Sequence, residues 1–169
     1  DRQIDLGRIG DRYFGTVATL GFDSVVGRLT YDRGARSYVL GVLKTLRTYR
    51  CPTVQLEGDF GRFEGPILLA ATGNGGFYGG GMQIAPQAIC DDGVLDVCLV
   101  KAVSKATALS LFPRVFWGGH RKHPAVQMFR TKTLQIVAEE PLEIFADGEP
   151  VCCTPATIEV VPGILNVRV

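Results

Sequence analysis

At 169 residues, 46% hydrophobic and 21% charged, the chain is long enough to bury one real core and too short to argue for two. Eighteen basic and seventeen acidic residues leave a formal net charge of +1, so no global field draws it toward nucleic acid and any partner must be recognised locally. No apolar run reaches the roughly 18 residues of a membrane span, and the opening Asp1-Arg2-Gln3-Ile4-Asp5-Leu6 is not a basic region leading into an apolar one.

Tyr13 to Leu20 predicts the first strand. From Ser37 to Arg50, Tyr38, Val42, Leu46 and Tyr49 recur at helical spacing, with Ser37 as the N-cap and Lys44, Arg47 and Arg50 on the outside. That basic face is read as solvated, with contact to anionic headgroups as the other reading. Thr53 to Leu56 and Phe63 to Thr72 predict strands joined through Glu57-Gly58-Asp59-Phe60-Gly61, and Pro66 to Ala71 is apolar enough to be buried on both faces.

Val94 to Lys101 predicts another strand. Ser104 then caps a helix whose Ala108, Leu111, Phe112, Val115 and Phe116 form one stripe, with Pro113 breaking it and Gly118-Gly119 ending it. In the final third every second residue is apolar or small: Leu134, Ile136 and Ala138, then Leu142, Ile144 and Ala146, then Ile158 and Val160, then Leu165, Val167 and Val169. The pattern predicts a mainly β fold, an antiparallel two-sheet β-sandwich with two or three attached helices.

Five cysteines, Cys51, Cys90, Cys98, Cys152 and Cys153, are an odd number with an adjacent pair, which fits reduced core thiols and a cytoplasmic setting better than a disulfide framework. No Cys-x-x-Cys occurs, and His120 and His123 have no cysteine pair in register, so no zinc site is expected. Both histidines are read as exposed loop residues without chemistry. Trp117 is read as core or cleft wall.

Three short stretches carry chemistry. Gly79-Gly80-Gly81 is followed by Gln83-Ile84-Ala85-Pro86 rather than a helix, so it is either a structural turn or a close backbone approach to a ligand, not a phosphate loop. Asp92-Gly93 is either a turn feeding the next strand or a seat for a hard cation, with the carbonyls of Ile89 and Val94 beside the Asp92 carboxylate. Asp147-Gly148 matches a two-residue hairpin loop, while Glu149 just beyond it is placed to accept a proton from a substrate hydroxyl.

Together, Thr19-Leu20-Gly21-Phe22-Asp23, Tyr78-Gly79-Gly80-Gly81-Met82, Ala85-Pro86, Asp92-Gly93-Val94-Leu95-Asp96-Val97 and Asp147-Gly148-Glu149 resemble the C-terminal half of the bacterial diacylglycerol kinase family, which belongs with the sphingosine and ceramide kinases. The resemblance runs the length of the chain. It implies the second domain of a two-domain, ATP-dependent lipid kinase, with the ATP-binding Gly-Gly-Asp-Gly-Thr loop in an N-terminal partner domain that this chain lacks. The fragment alone is then expected to be inactive. Consistent with an excised piece, the chain does not start with Met and stops before a C-terminal return segment.

By the same resemblance Glu149 is the base that activates the lipid hydroxyl, Asp147 orients or assists it, and Ile89, Asp92 and Val94 hold a structural magnesium ion, a second magnesium travelling with ATP. The implied partners are the lipid substrate, the N-terminal nucleotide-binding domain and the inner membrane face as a peripheral contact; nucleic acid is not among them. The competing reading is a stand-alone β-sandwich that binds a ligand or partner without catalysis.

Overall fold

The computed structural model describes residues 1–30 and 34–168. Its strands are β1 (Arg2–Ile9), β2 (Arg12–Phe14), β3 (Val17–Gly21), β4 (Thr53–Gly58), β5 (Gly61–Gly73), β6 (Leu95–Lys101), β7 (Val126–Thr131), β8 (Thr133–Ala138), β9 (Glu143–Ala146), β10 (Glu149–Cys153) and β11 (Ala156–Val167). There are three α-helices, α1 (Phe22–Thr30), α2 (Gly34–Thr48) and α3 (Lys105–Leu111), and α3 is followed by 3₁₀ turns at Pro113–Trp117 and Gly119–Lys122. The fold is mainly β and antiparallel, as the sequence predicts. Among the described residues no helix is long and apolar enough to cross a membrane.

The strands run in the order β10-β9-β3-β5-β4-β8-β11-β1-β2, with β6 beside β5 and β7 beside β6. Two sheets are linked through β5. Its first half pairs with β4, Gly58 opposite Gly61 through Thr53 opposite Pro66, and its second half, from Ile67 to Gly73, lies between β3 and β6. Gly65-Pro66 stands at the exchange, where a strand must bend to leave one sheet for the other.

Alternation decides which residues meet inside. Leu134 and Ile136 of β8, Val54 and Leu56 of β4, Ile144 of β9, Ile158 of β11 and Leu95, Val97 and Leu99 of β6 fill the space between the sheets. The intervening residues of β6, Cys98 and Val100, face the other way and join Val26, Val42, Leu46, Ala108 and Leu111 in a second core beneath the helices. From Val97 to Val100, β6 is therefore apolar on both faces, each covered by a different layer. Burying each such Leu, Ile or Val contributes about 1.5–3 kcal/mol.

The structure corrects the sequence reading in several places. Tyr13 to Leu20 is two strands, because the chain breaks at Gly15-Thr16 to reach the Asp147 hairpin. Ser37 is not an N-cap, since α2 begins at Gly34; the side chains of Ser37 and Tyr38, like Val169, lie outside the described residues. The strands β1 and β7 and the helix α1 were not predicted. Ser104 does cap α3, its Oγ accepting from the Thr107 N–H at 3.1 Å, and Pro113 opens the 3₁₀ turn that ends the helix.

The cysteines are free, but only Cys98 is buried, and Cys153 is exposed, so the expectation of core thiols holds for one of the five. His120 is fully buried rather than exposed, with Nε2 3.1 Å from the Ile84 carbonyl. Trp117 is neither core nor cleft wall: it is 64% exposed.

Candidate active site

The hairpin from β9 to β10 turns at Asp147-Gly148, whose φ angles of 49° and 87° are both left-handed, as a two-residue turn of this type demands. Asp147 then does more than turn the chain. Its carboxylate accepts from the N–H groups of Gly15 at 2.7 Å, Thr16 at 2.9 Å and Val17 at 3.2 Å, and from the Thr16 hydroxyl, while its own N–H donates to the Val17 carbonyl at 3.1 Å. The bend between β2 and β3 is wrapped around one side chain. With four donors on its two oxygens, this carboxylate is committed to holding the hairpin in place.

Glu149 opens β10 opposite Ala146. Its side chain is 60% exposed, and Arg12 Nη2 makes a 3.4 Å ion pair with it. The two predicted carboxylates are thus brought to one turn but differ in kind: Asp147 is tied by four donors, and Glu149 is exposed with only the longer Arg12 contact beside it.

Facing the hairpin is the glycine turn. Tyr78 and Met82 exchange main-chain hydrogen bonds of 3.0 and 2.9 Å around Gly79, Gly80 and Gly81, which all have positive φ. A Cβ on Gly79 would lie 2.7 Å from Met82 Cε, whereas one on Gly80 or Gly81 would meet nothing. Conformation alone therefore demands the three glycines, as the structural-turn reading expects, and Gly79 also lines a cleft with Thr16, Asp23, Tyr78, Met82 and Asp147.

An apolar cavity adjoins that cleft. Phe22 of α1, Val42 and Leu46 of α2, Ala108, Leu109 and Leu111 of α3, and Ile84 and His120 wall it, and Asp23, Tyr78 and Met82 line both spaces. The two spaces share a wall, the more polar one at the carboxylate hairpin and the apolar one under the helices. Burial in this wall pushes the His120 imidazole below its ordinary range.

The third predicted site lies apart, before β6. Asp92 Oδ1 accepts from the Val94 N–H at 3.3 Å and Oδ2 is paired with Arg130, while Ile89 is exposed. Asp96, with no exposure, has Arg130 Nε 3.7 Å from its Oδ1, and burial pushes its carboxyl upward. Two carboxylates share one guanidinium, so Arg130 would compete with any cation for the Asp92 carboxylate. Among the described residues no three His, Cys, Asp or Glu side chains converge as a metal cage.

Two residues missed in the sequence join these regions. Asp5, buried at an irregularity between Ile4 and Leu6, accepts from the N–H groups of Gly93 at 2.7 Å and Gly163 at 2.8 Å. Buried Asn74 donates from Nδ2 to the carbonyls of Asp5 at 2.8 Å and Gly15 at 3.1 Å. The one sequence signal was an Asn among glycines at position 74; Asp5 gave none, because the strand that buries it was not predicted.

An antiparallel β domain with these turns defines a recognisable class, and residues 15–169 match the family model described as the YegS C-terminal NAD kinase beta sandwich-like domain. The chain belongs to that family. It is 37% identical over 175 residues to a diacylglycerol kinase of Mycobacterium tuberculosis, covering 97% of this chain and 56% of that protein. It is 32% identical to a Stenotrophomonas maltophilia protein named "Probable lipid kinase YegS-like", covering 89% of this chain and 48% of the other. The chain thus spans about half the length of the curated relatives it matches. A crystal structure of a diacylglycerol kinase from Bacillus anthracis shares the fold with a TM-score of 0.71 at 24% identity, covering 96% of this chain and 54% of that one.

Proposed function

We propose that this chain is the substrate-side part of an ATP-dependent lipid kinase that phosphorylates the hydroxyl of diacylglycerol or a closely similar lipid. The observation that carries the reading is that the cleft at the Asp147 hairpin and the apolar cavity under the helices are neighbours, sharing Asp23, Tyr78 and Met82 in their walls. A lipid alcohol needs both environments, one for its hydroxyl and one for its chain. The kinase names of the relatives support the same class.

In this mechanism Glu149 accepts the proton of the lipid hydroxyl as that oxygen bonds to the γ-phosphorus and the bond to the departing ADP oxygen breaks. Asp147 is a positioning residue: by binding Gly15, Thr16 and Val17 it fixes where β10 begins and hence where Glu149 stands. Positioning and charge stabilisation supply most of the acceleration in phosphoryl transfer, so a modest base is enough. ATP and its magnesium would be held by a partner domain beyond this chain. Asp92, with the carbonyls of Ile89 and Val94, would hold a structural magnesium ion whose contribution is to fix the turn that Asp5 already grips.

The test is turnover by the full-length protein. With Mg-ATP and diacylglycerol in mixed micelles, transfer of labelled phosphate to the lipid is expected. Lipid binding without any transfer to a lipid alcohol would instead support the non-catalytic binding module.

A further inference from the structure

We infer that His120 offers a buried hydrogen-bond acceptor to the bound lipid, and so selects a lipid alcohol that carries a second donor, a hydroxyl or an amide N–H, close to its reacting hydroxyl. The ring is only 1% exposed and walls the apolar cavity beneath the helices. The turn Gly119–Lys122 exposes Arg121 and Lys122 and buries His120 alone.

The tautomer follows from one contact. His120 Nε2 stands 3.1 Å from the Ile84 carbonyl, and a carbonyl oxygen can only accept, so Nε2 carries the proton. Burial lowers the imidazole pKa and keeps the ring neutral at pH 7, which leaves Nδ1 a lone-pair acceptor. Among the described residues that Nδ1 has no hydrogen-bond partner. The chain's other imidazole is satisfied at home: His123 Nδ1 accepts from the Ala125 N–H at 3.2 Å.

A buried acceptor left unpaired is costly, so a lipid filling the cavity binds better if it brings the donor. The side chains of Val42, Leu46, Val100, Leu111 and Val126 in the same wall have none to give. Position narrows where that donor belongs on the lipid. Ile84, which holds the ring, is two residues from Met82, and Met82 stands in the wall shared with the cleft at Asp147. Two residues span at most about 7 Å, so the imidazole sits near the polar end of a lipid lying across both spaces, at its chain linkages rather than its chain ends. The ester oxygens of a diacylglycerol only accept and cannot pair with Nδ1. An amide or carbinol linkage can. The inference rests on the lipid-kinase reading and refines its substrate.

The test compares three lipids with identical chains whose linkage at the middle glycerol carbon is an ester, an amide or a carbinol. Their binding to the full-length protein is measured without ATP, in the parent and in His120→Phe, which keeps a ring and removes the acceptor. The parent should bind the amide or the carbinol lipid about tenfold more tightly than the ester, the tighter of the two identifying the donor, and His120→Phe should bind all three alike. Melting curves check the fold of the variant. If it does not fold, the parent labelled with nitrogen-15 at histidine decides, because a donor on Nδ1 must move the resonance of the unprotonated ring nitrogen and the ester lipid must not. Equal binding of the three lipids by the parent, a preference that persists in folded His120→Phe, or an unmoved resonance would overturn the inference. Transfer of phosphate from Mg-ATP is assayed separately: a preference in binding with no transfer to any of the lipids would sink the kinase reading and leave the acceptor role of His120 standing.

Discussion

Asn74 hands one amide to two carbonyls, Asp5 at 2.8 Å and Gly15 at 3.1 Å, and thereby ties the turn that presents Asp92 to the bend that grips Asp147. From the Asp5 carboxylate the connection continues to the Gly93 N–H, and from Gly15 it continues to the Asp147 carboxylate. The candidate metal turn and the candidate base hairpin are held by one set of hydrogen bonds.

Removing that link should therefore be felt at both ends. Asn74→Ala leaves the carbonyls of Asp5 and Gly15 without this donor, a loss of about 1–3 kcal/mol for buried groups. Urea denaturation should show a lower midpoint, and turnover of the full-length protein should fall with it. An unchanged midpoint would mean the amide is not a tie.

Asp147→Asn tests position against basicity. Asn tolerates the left-handed φ of 49°, so the hairpin survives, but an amide cannot accept from all four donors. Turnover should fall less than on loss of Glu149, and the acidic limb of the kcat profile should remain, because the proton acceptor is still present. Disappearance of that limb would move the base to Asp147.

Asp92→Ala should abolish any magnesium-dependent rise in melting temperature. Ligand that binds only the folded state raises stability in proportion to the logarithm of its concentration, and the parent protein should show this while the variant does not. Identical responses of the two proteins to magnesium would leave Asp92-Gly93 a turn and nothing more.

His120 gives a pH dependence with a definite sign. Burial lowers its folded-state pKa below the ordinary 6.5, so the unfolded chain binds more protons in this range and stability falls with acidity. The contribution is fully present above pH 6.5 and is lost as pH drops through the window between 6.5 and the lower folded value. Urea midpoints between pH 7.5 and 5 should decline in the parent and decline less in His120→Gln, a comparison that isolates this one ring.

Period-two alternation made β8, β9 and β11 legible, and helical spacing found α2 and α3. The alternation of β7 was hidden because Gln127, Met128 and Phe129 are all half-buried, and α1 was hidden because it is short and Gly27 interrupts it. At the site, Asp-Gly marked the hairpin, but the sequence could not say that the first carboxylate is consumed by Gly15, Thr16 and Val17, 130 residues or more away. Nor could it show Asp5, since a lone Asp near a chain start looks exposed until β11 closes over it. Long-range partners decide which polar residues are buried, and spacing does not encode them.

The account stands on Glu149 as the proton acceptor. Glu149→Gln keeps the shape of a half-exposed side chain and removes its basicity, so the full-length variant should fold as the parent does and bind lipid unchanged. Its kcat for diacylglycerol phosphorylation should be lower by roughly 10²–10⁴, the range for loss of a general base, with the acidic limb of the pH profile gone. Lipid phosphorylation at the parent rate by this variant would contradict the account and leave Asp147-Gly148-Glu149 an ordinary hairpin.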